Sequence, residues 1–215
     1  MRLQKYIHEM AIPRELDLKK TYYHGTSTDN FGQGILKKGI NPPDLTTKKK
    51  NNLTPVEGMV YITPNLEYAL IYALGANMIG SDSLPDFMTK KGEENMYLFV
   101  IDGKQLKDIQ PDEDSIGEMI MKKNPMWLYN MADNILAAST MRRIMNGEYS
   151  YWAKGGKVLL RRMTDQQKLE LIDAGAHIAH TGALKPREAW ILPKTDNHKL
   201  KKNGSNFFKI AKRIK

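Results

Sequence analysis

The chain of 215 residues has no cysteine, which excludes disulfide staples, thiolate nucleophiles and cysteine-ligated metal centres. Its five histidines are scattered, none at a spacing that gathers metal ligands, so no metal is expected. No apolar run approaches the ~18 residues needed to cross a bilayer, and the N-terminus lacks a signal-peptide core. These absences predict a cytoplasmic protein with no membrane partner. Arginine is missing between Arg14 and Arg142, and carboxylates are nearly missing from the C-terminus. From Lys194 to Lys215 there are eight Lys or Arg against the single Asp196, so this tail supplies seven of the nine net positive charges.

What is present suits a globular α+β protein. With 41% hydrophobic and 27% charged residues, the chain can bury a substantial core, and it reads as a single domain over 1–215. A short helix is expected at 3–10, a strand at 20–24, and a helix starting at Asp29 or Asn30 and ended by Gly39. Pro42-Pro43 and the Lys48-Lys49-Lys50 run read as an exposed loop. Met59–Thr63 reads as a strand, and Pro64-Asn65 as the start of a helix whose inner face carries Ala69 and Tyr72. Residues 80–95 are polar and loop-like, and 96–101 is an apolar strand.

The middle, about 113–174, reads as a helical insertion. Ser115 and Glu118 have the spacing of a capping box, and 131–145 has one helical period. Tyr149, Tyr151 and Trp152 followed by Lys154-Gly155-Gly156-Lys157 read as an aromatic-basic turn. Thr164 or Asp165 opens another helix. Asp112, Glu113 and Asp114 form an acidic knot suited to a helix start. His177 and His180 alternate with apolar residues on a strand and read as structural.

The chemistry concentrates in the first half. His24 ends an extended run, where its imidazole offers a directional donor or acceptor to a ribose hydroxyl. Gly25 lets a flat carboxamide approach the backbone with no Cβ in the way. Tyr61, 37 residues after His24, and Tyr72, eleven further on, supply two aromatic faces able to clamp a nicotinamide ring. The pattern points to a bound dinucleotide.

The blocks Tyr22-Tyr23-His24-Gly25-Thr26-Ser27, Gly34-Ile35-Leu36-Lys37-Lys38-Gly39-Ile40, Val60-Tyr61-Ile62-Thr63 and Ala69-Leu70-Ile71-Tyr72-Ala73 occur in that order. So arranged, the sequence resembles the His-Tyr-Glu class of ADP-ribosyltransferases, which includes diphtheria toxin and the poly(ADP-ribose) polymerases. The resemblance covers the first half and a short C-terminal stretch. It implies a split, mostly antiparallel sheet around an NAD cleft, with NAD as co-substrate. His24 would bind the adenosine-side ribose and Gly25 the nicotinamide amide. Thr26 completes the motif, Tyr61 and Tyr72 would sandwich the ring, and Ala69 would line the pocket.

The family's third catalytic position is a Glu opening a late strand, where it stabilises the oxocarbenium-like charge. Two placements compete. If the strand is Pro186–Leu192, the residue is Glu188, the only carboxylate between Asp173 and Asp196. If the strand is Ala176–Gly182, the position falls near Ala176 and the Glu is missing. With the first placement the catalytic set is His24, Tyr61 and Glu188.

The expected activity is mono-ADP-ribosyl transfer to a macromolecular acceptor, nucleic acid or protein. Phe207-Phe208 interleaved with Lys209, Lys212, Arg213 and Lys215 favours RNA or DNA as partner, against a merely solvated basic tail. NAD glycohydrolase and RNA 2′-phosphotransferase activities share the fold, though the second family relies on arginines around its His, and none occurs here between Arg14 and Arg142. A catalytically inert nucleotide-binding or nucleic-acid-binding module is the competing class.

Overall fold

The structure is a computed structural model that describes residues 21–26, 29–42, 58–73, 95–106, 109–200 and 205–215. The helix expected at 3–10, the Lys48-Lys49-Lys50 loop and nearly all of the 80–95 stretch lie outside them. The chain is α+β, with β1 (Thr21–Thr26), α1 (Asp29–Lys38), β2 (Met59–Ile62), α2 (Leu66–Ala73), β3 (Met96–Asp102) and β4 (Ile109–Pro111). There follow α3 (Glu113–Met121), α4 (Met126–Ile135), α5 (Ala138–Met145), α6 (Tyr149–Leu160) and α7 (Asp165–Asp173). The last elements are β5 (Ile178–Thr181), β6 (Glu188–Leu192), α8 (Phe207–Ile210) and β7 (Lys212–Arg213). Two antiparallel sheets form, one ordered β1-β3-β6-β7 and one ordered β2-β5-β4. Both late segments weighed from the sequence are therefore strands.

The chain falls into two compact units. One comprises the described residues up to 106 and from 180 onward. The other comprises 109–179 and contains the segment expected as a helical insertion.

In the first unit the six residues Met96–Ile101 are all buried, because β3 lies between β1 and β6 and has helices over both faces. Its register aligns Tyr23 with Val100 and Glu188, and His24 with Phe99 and Ala189. Residues opposite one another in an antiparallel pair share a face, and neighbours along a strand alternate. One face thus carries Tyr23, Gly25, Leu98, Glu188 and Trp190. There α2 and Phe207 of α8 complete a cluster built on Ala69, Leu70, Met96, Leu98 and Leu192. The opposite face carries Tyr22, His24, Thr26, Tyr97 and Phe99. On that side α1 packs so closely that a Cβ on Gly32 would come within 2.5 Å of the Tyr97 ring.

Local signals account for the helix ends. The Asn65 side chain accepts the Glu67 N–H at 2.9 Å, which caps α2. Gly39 ends α1 at φ +83, a conformation that costs a non-glycine residue more, while its N–H donates to the Ile35 carbonyl.

The second unit corrects three expectations. Asp112 caps α3 by accepting the Asp114 N–H at 3.3 Å, and Ser115 instead accepts the buried His177 N–H at 3.0 Å, so no capping box forms there. The box is at Thr164, whose hydroxyl accepts the Gln167 N–H while the Gln167 side chain accepts the Thr164 N–H. The single helix expected over 131–145 is broken at Leu136 and Ala137, both extended. At ~100° per residue, an unbroken helix would put Met141 about 180° from Ala132. The break lets Leu128, Ala132, Met141 and Ile144 enter one core.

The expected aromatic-basic turn is the interior of α6. Gly155 faces the Ile144 side chain, and a Cβ on Gly156 would lie 2.0 Å from the Glu113 carbonyl oxygen. Gly117 stands in the same way against Trp152, whose indole N–H donates to the Ile144 carbonyl at 3.2 Å. Small residues here set how closely α3 and α6 approach. The exposed remainder of this cluster is Arg143 over the Tyr151 ring at 4.8 Å, with Lys154 at 5.5 Å.

Candidate functional site

β1 brings the first block together. The His24 ring places Nδ1 2.9 Å from the backbone carbonyl of Tyr61, across 37 residues of chain. A carbonyl only accepts, so the neutral imidazole carries its proton on Nδ1 and presents Nε2 as an acceptor. Burial pushes the His24 pKa below its ordinary value, partly offset by the bond to Tyr61, which favours the charged ring. The ring is tilted over Phe99 at 6.5 Å, and Phe99 stacks on Tyr97 at 6.4 Å. His24 is thus a neutral, oriented hydrogen-bond acceptor at pH 7.

The anchor of this arrangement is the meeting of β1 with the end of β2. Tyr23 and Thr63 exchange two backbone hydrogen bonds, of 2.8 and 3.0 Å, two residues beyond Tyr61. Thr26 ends β1 opposite Tyr97, half-buried and on the same sheet face as His24.

Gly25 is small for a reason other than the one expected. A Cβ there would fall 1.8 Å from the Ala69 carbonyl oxygen and 2.8 Å from the Ala73 nitrogen. The space that its missing side chain frees is filled by α2, so it serves strand-to-helix packing and not the approach of a carboxamide from that side. Ala69 is fully buried at this contact. Tyr72 lies on the flank of the β1-facing stripe of α2, half-buried, with Tyr68 one turn before it on the same flank.

Glu188 is the third member of the expected catalytic set. It opens β6 as expected, yet it projects from the sheet face opposite His24. Its Oε2 accepts the Trp190 indole N–H at 3.1 Å, and its Oε1 lies 3.4 Å from Arg187 and 3.8 Å from Arg213. Burial raises the Tyr23 pKa, with Arg187 pulling it down and Glu188 pushing it up, as expected for neighbours in one row. Ala176, the other placement, is fully buried and carries no acid. The Trp190–Glu188–Arg213 grouping gave no sequence signal, because strand pairing creates it.

Among the described residues no group of three or more His, Asp or Glu is placed to hold a metal ion, and no helix is long and apolar enough to cross a membrane. Comparison with protein-family models, curated proteins and solved structures finds no match to this chain.

Proposed function

We propose that the chain is an NAD-dependent mono-ADP-ribosyltransferase. The observation that carries this reading is the His24–Tyr61 pairing. A neutral imidazole with Nδ1–H committed to a carbonyl offers Nε2 to a ribose hydroxyl in one orientation, which the resemblance assigns to the adenosine-side ribose. The backbone bonds between Tyr23 and Thr63 and the close approach of Gly25 to Ala69 support it, since they gather the sequence blocks in one unit.

In this mechanism the glycosidic C–N bond to nicotinamide breaks ahead of bond formation. Nicotinamide leaves neutral with the bonding electron pair, and the acceptor adds to the ribose carbon and loses its proton to solvent. Tyr61 stacks on the ring and His24 holds the far ribose, so the protein contributes positioning; Tyr72, carried by α2 on the sheet face opposite His24, is left out of this step. Glu188 takes no part. Transfer without that carboxylate relies on stacking and orientation, and a slow turnover is expected.

The face occupied by Glu188 favours one second reading, a module that binds nucleotide without turnover. Incubation with NAD labelled in its adenine ring separates the two. Label on nucleic acid or protein with equal nicotinamide release supports transfer, and nicotinamide release with free ADP-ribose indicates hydrolysis. Calorimetric binding with no nicotinamide released leaves the inert module.

A further inference from the structure

The basic C-terminus is annealed to the sheet. Phe207 is fully buried in the cluster beneath α2, and the Ala211 N–H donates to its carbonyl at 2.9 Å. β7 pairs with β6, setting Arg213 opposite Trp190, and the Ile214 N–H donates to the Ala189 carbonyl at 2.8 Å. A tail that only aided solubility would need none of these anchors.

The anchoring holds Phe208 outward. Phe208 is 39% exposed, and its ring meets Trp190 edge-on, with centroids 5.0 Å apart and planes at 73°. Trp190 is held in turn by its bond to Glu188. The same segment presents Lys209, Lys212, Arg213 and Lys215, all exposed, and residues 205–215 contain no acid. Glu188 engages Arg213 at 3.8 Å, while Lys209, Lys212 and Lys215 make no ion pair among the described residues. Charge of one sign is thus fixed beside an exposed aromatic face.

We propose that this surface binds single-stranded nucleic acid. Phe208 stacks on an unpaired base, a sequence-tolerant contact that duplex bases cannot offer, and the surrounding cations contact phosphates. A membrane fits less well. The exposed apolar side chains here are Phe208 and Ile214, with cations between them, and α8 turns Phe207 and Ile210 into the core cluster. Binding stands without NAD chemistry. That the bound strand is also the ADP-ribose acceptor rests on the transferase reading.

The test is fluorescence anisotropy of a fluorescein-labelled mixed-sequence 12-mer, as single-stranded DNA and RNA, against the full chain. The same sequence as a duplex and vesicles of phosphatidylserine with phosphatidylcholine serve as controls. Single strands should bind about tenfold more tightly than duplex. Phe208→Ala should weaken them about tenfold, within the range for loss of one stacked base, and Phe208→Tyr should retain binding. Lys209→Glu with Lys215→Glu should flatten the log K against log salt slope by about 1.4, at roughly 0.7 per phosphate contact. Circular dichroism confirms that each variant folds. Equal duplex binding with no effect of Phe208→Ala would overturn the proposal in favour of an undiscriminating polyanion tail. A preference for vesicles, or no binding at low salt, would overturn it too. Strand binding without nicotinamide release refutes the transferase reading alone, and nicotinamide release without strand binding refutes this surface alone.

Discussion

His24 and Glu188 project from opposite faces of the same sheet, one residue out of step in a register that runs β1 to β3 to β6. An even offset would have put them together. The consequence is measurable as nicotinamide release from NAD. His24→Ala should lower it about tenfold or more, the equivalent of one oriented hydrogen bond at ~1.4 kcal/mol. Glu188→Gln, which keeps an acceptor for the Trp190 N–H, should stay within about twofold of the parent. A Glu188→Gln protein that folds yet releases no nicotinamide would show that the face assignment is wrong.

Gly25 fills a packing role, so its replacement acts without any ligand. Gly25→Ala drives a Cβ toward the Ala69 carbonyl and must push α2 off β1. A loss of roughly 1–3 kcal/mol is expected. Urea unfolding without nucleotide reads it directly. If stability is unchanged and only NAD affinity falls, the carboxamide role expected from the sequence is restored.

The α3–α6 crossing makes a paired prediction. Gly156→Ala would bring a Cβ to 2.0 Å from the Glu113 carbonyl oxygen, whereas a Cβ at Gly34 in α1 meets nothing within 4 Å. Gly156→Ala should destabilise by about 1–3 kcal/mol. Gly34→Ala should stabilise by about 0.5–1 kcal/mol, because alanine loses less backbone entropy in a helix. Thermal midpoints should move in opposite directions, and movement in one direction would refute the crossing geometry.

Stability should fall in mild acid. Burial lowers the pKa of both His24 and His177, with Glu118 raising and Lys122 lowering the latter. The unfolded chain therefore takes up protons first. The penalty begins as pH drops below the ordinary histidine value of about 6.5 and grows until the folded-state pKa values are reached. Asp112 works the other way, since burial first and then Asp114 and Glu113 raise its pKa well above the usual carboxylate value, so the folded state keeps that proton longer. Urea midpoints at pH 7.5, 6.0 and 5.0 should decline, and His177→Asn should flatten the decline. An unchanged slope in that variant would mean that folding does not lower the His177 pKa.

Much of the local structure was legible in the chain. The run Met96–Ile101 read as an apolar strand, and the structure covers it on both sides; Asn65, Gly39 and Thr164 marked helix ends with side chains or a φ that few other residues supply. The break at Leu136 was hidden, since each half of 131–145 has a helical period and only the need to bury Met141 with Ala132 separates them. The glycines of α6 looked like a turn because a sequence does not show which backbone will come against them.

Of the candidate site, the amino-acid sequence alone determined the residue types, their order, and that no thiol takes part, because these follow from composition and spacing. Tertiary structure decided the rest. Which face of a strand a side chain occupies depends on pairing register, and register is set by residues tens of positions away. For that reason His24 met the Tyr61 carbonyl, Gly25 met α2, and Glu188 went to Trp190 and the arginines.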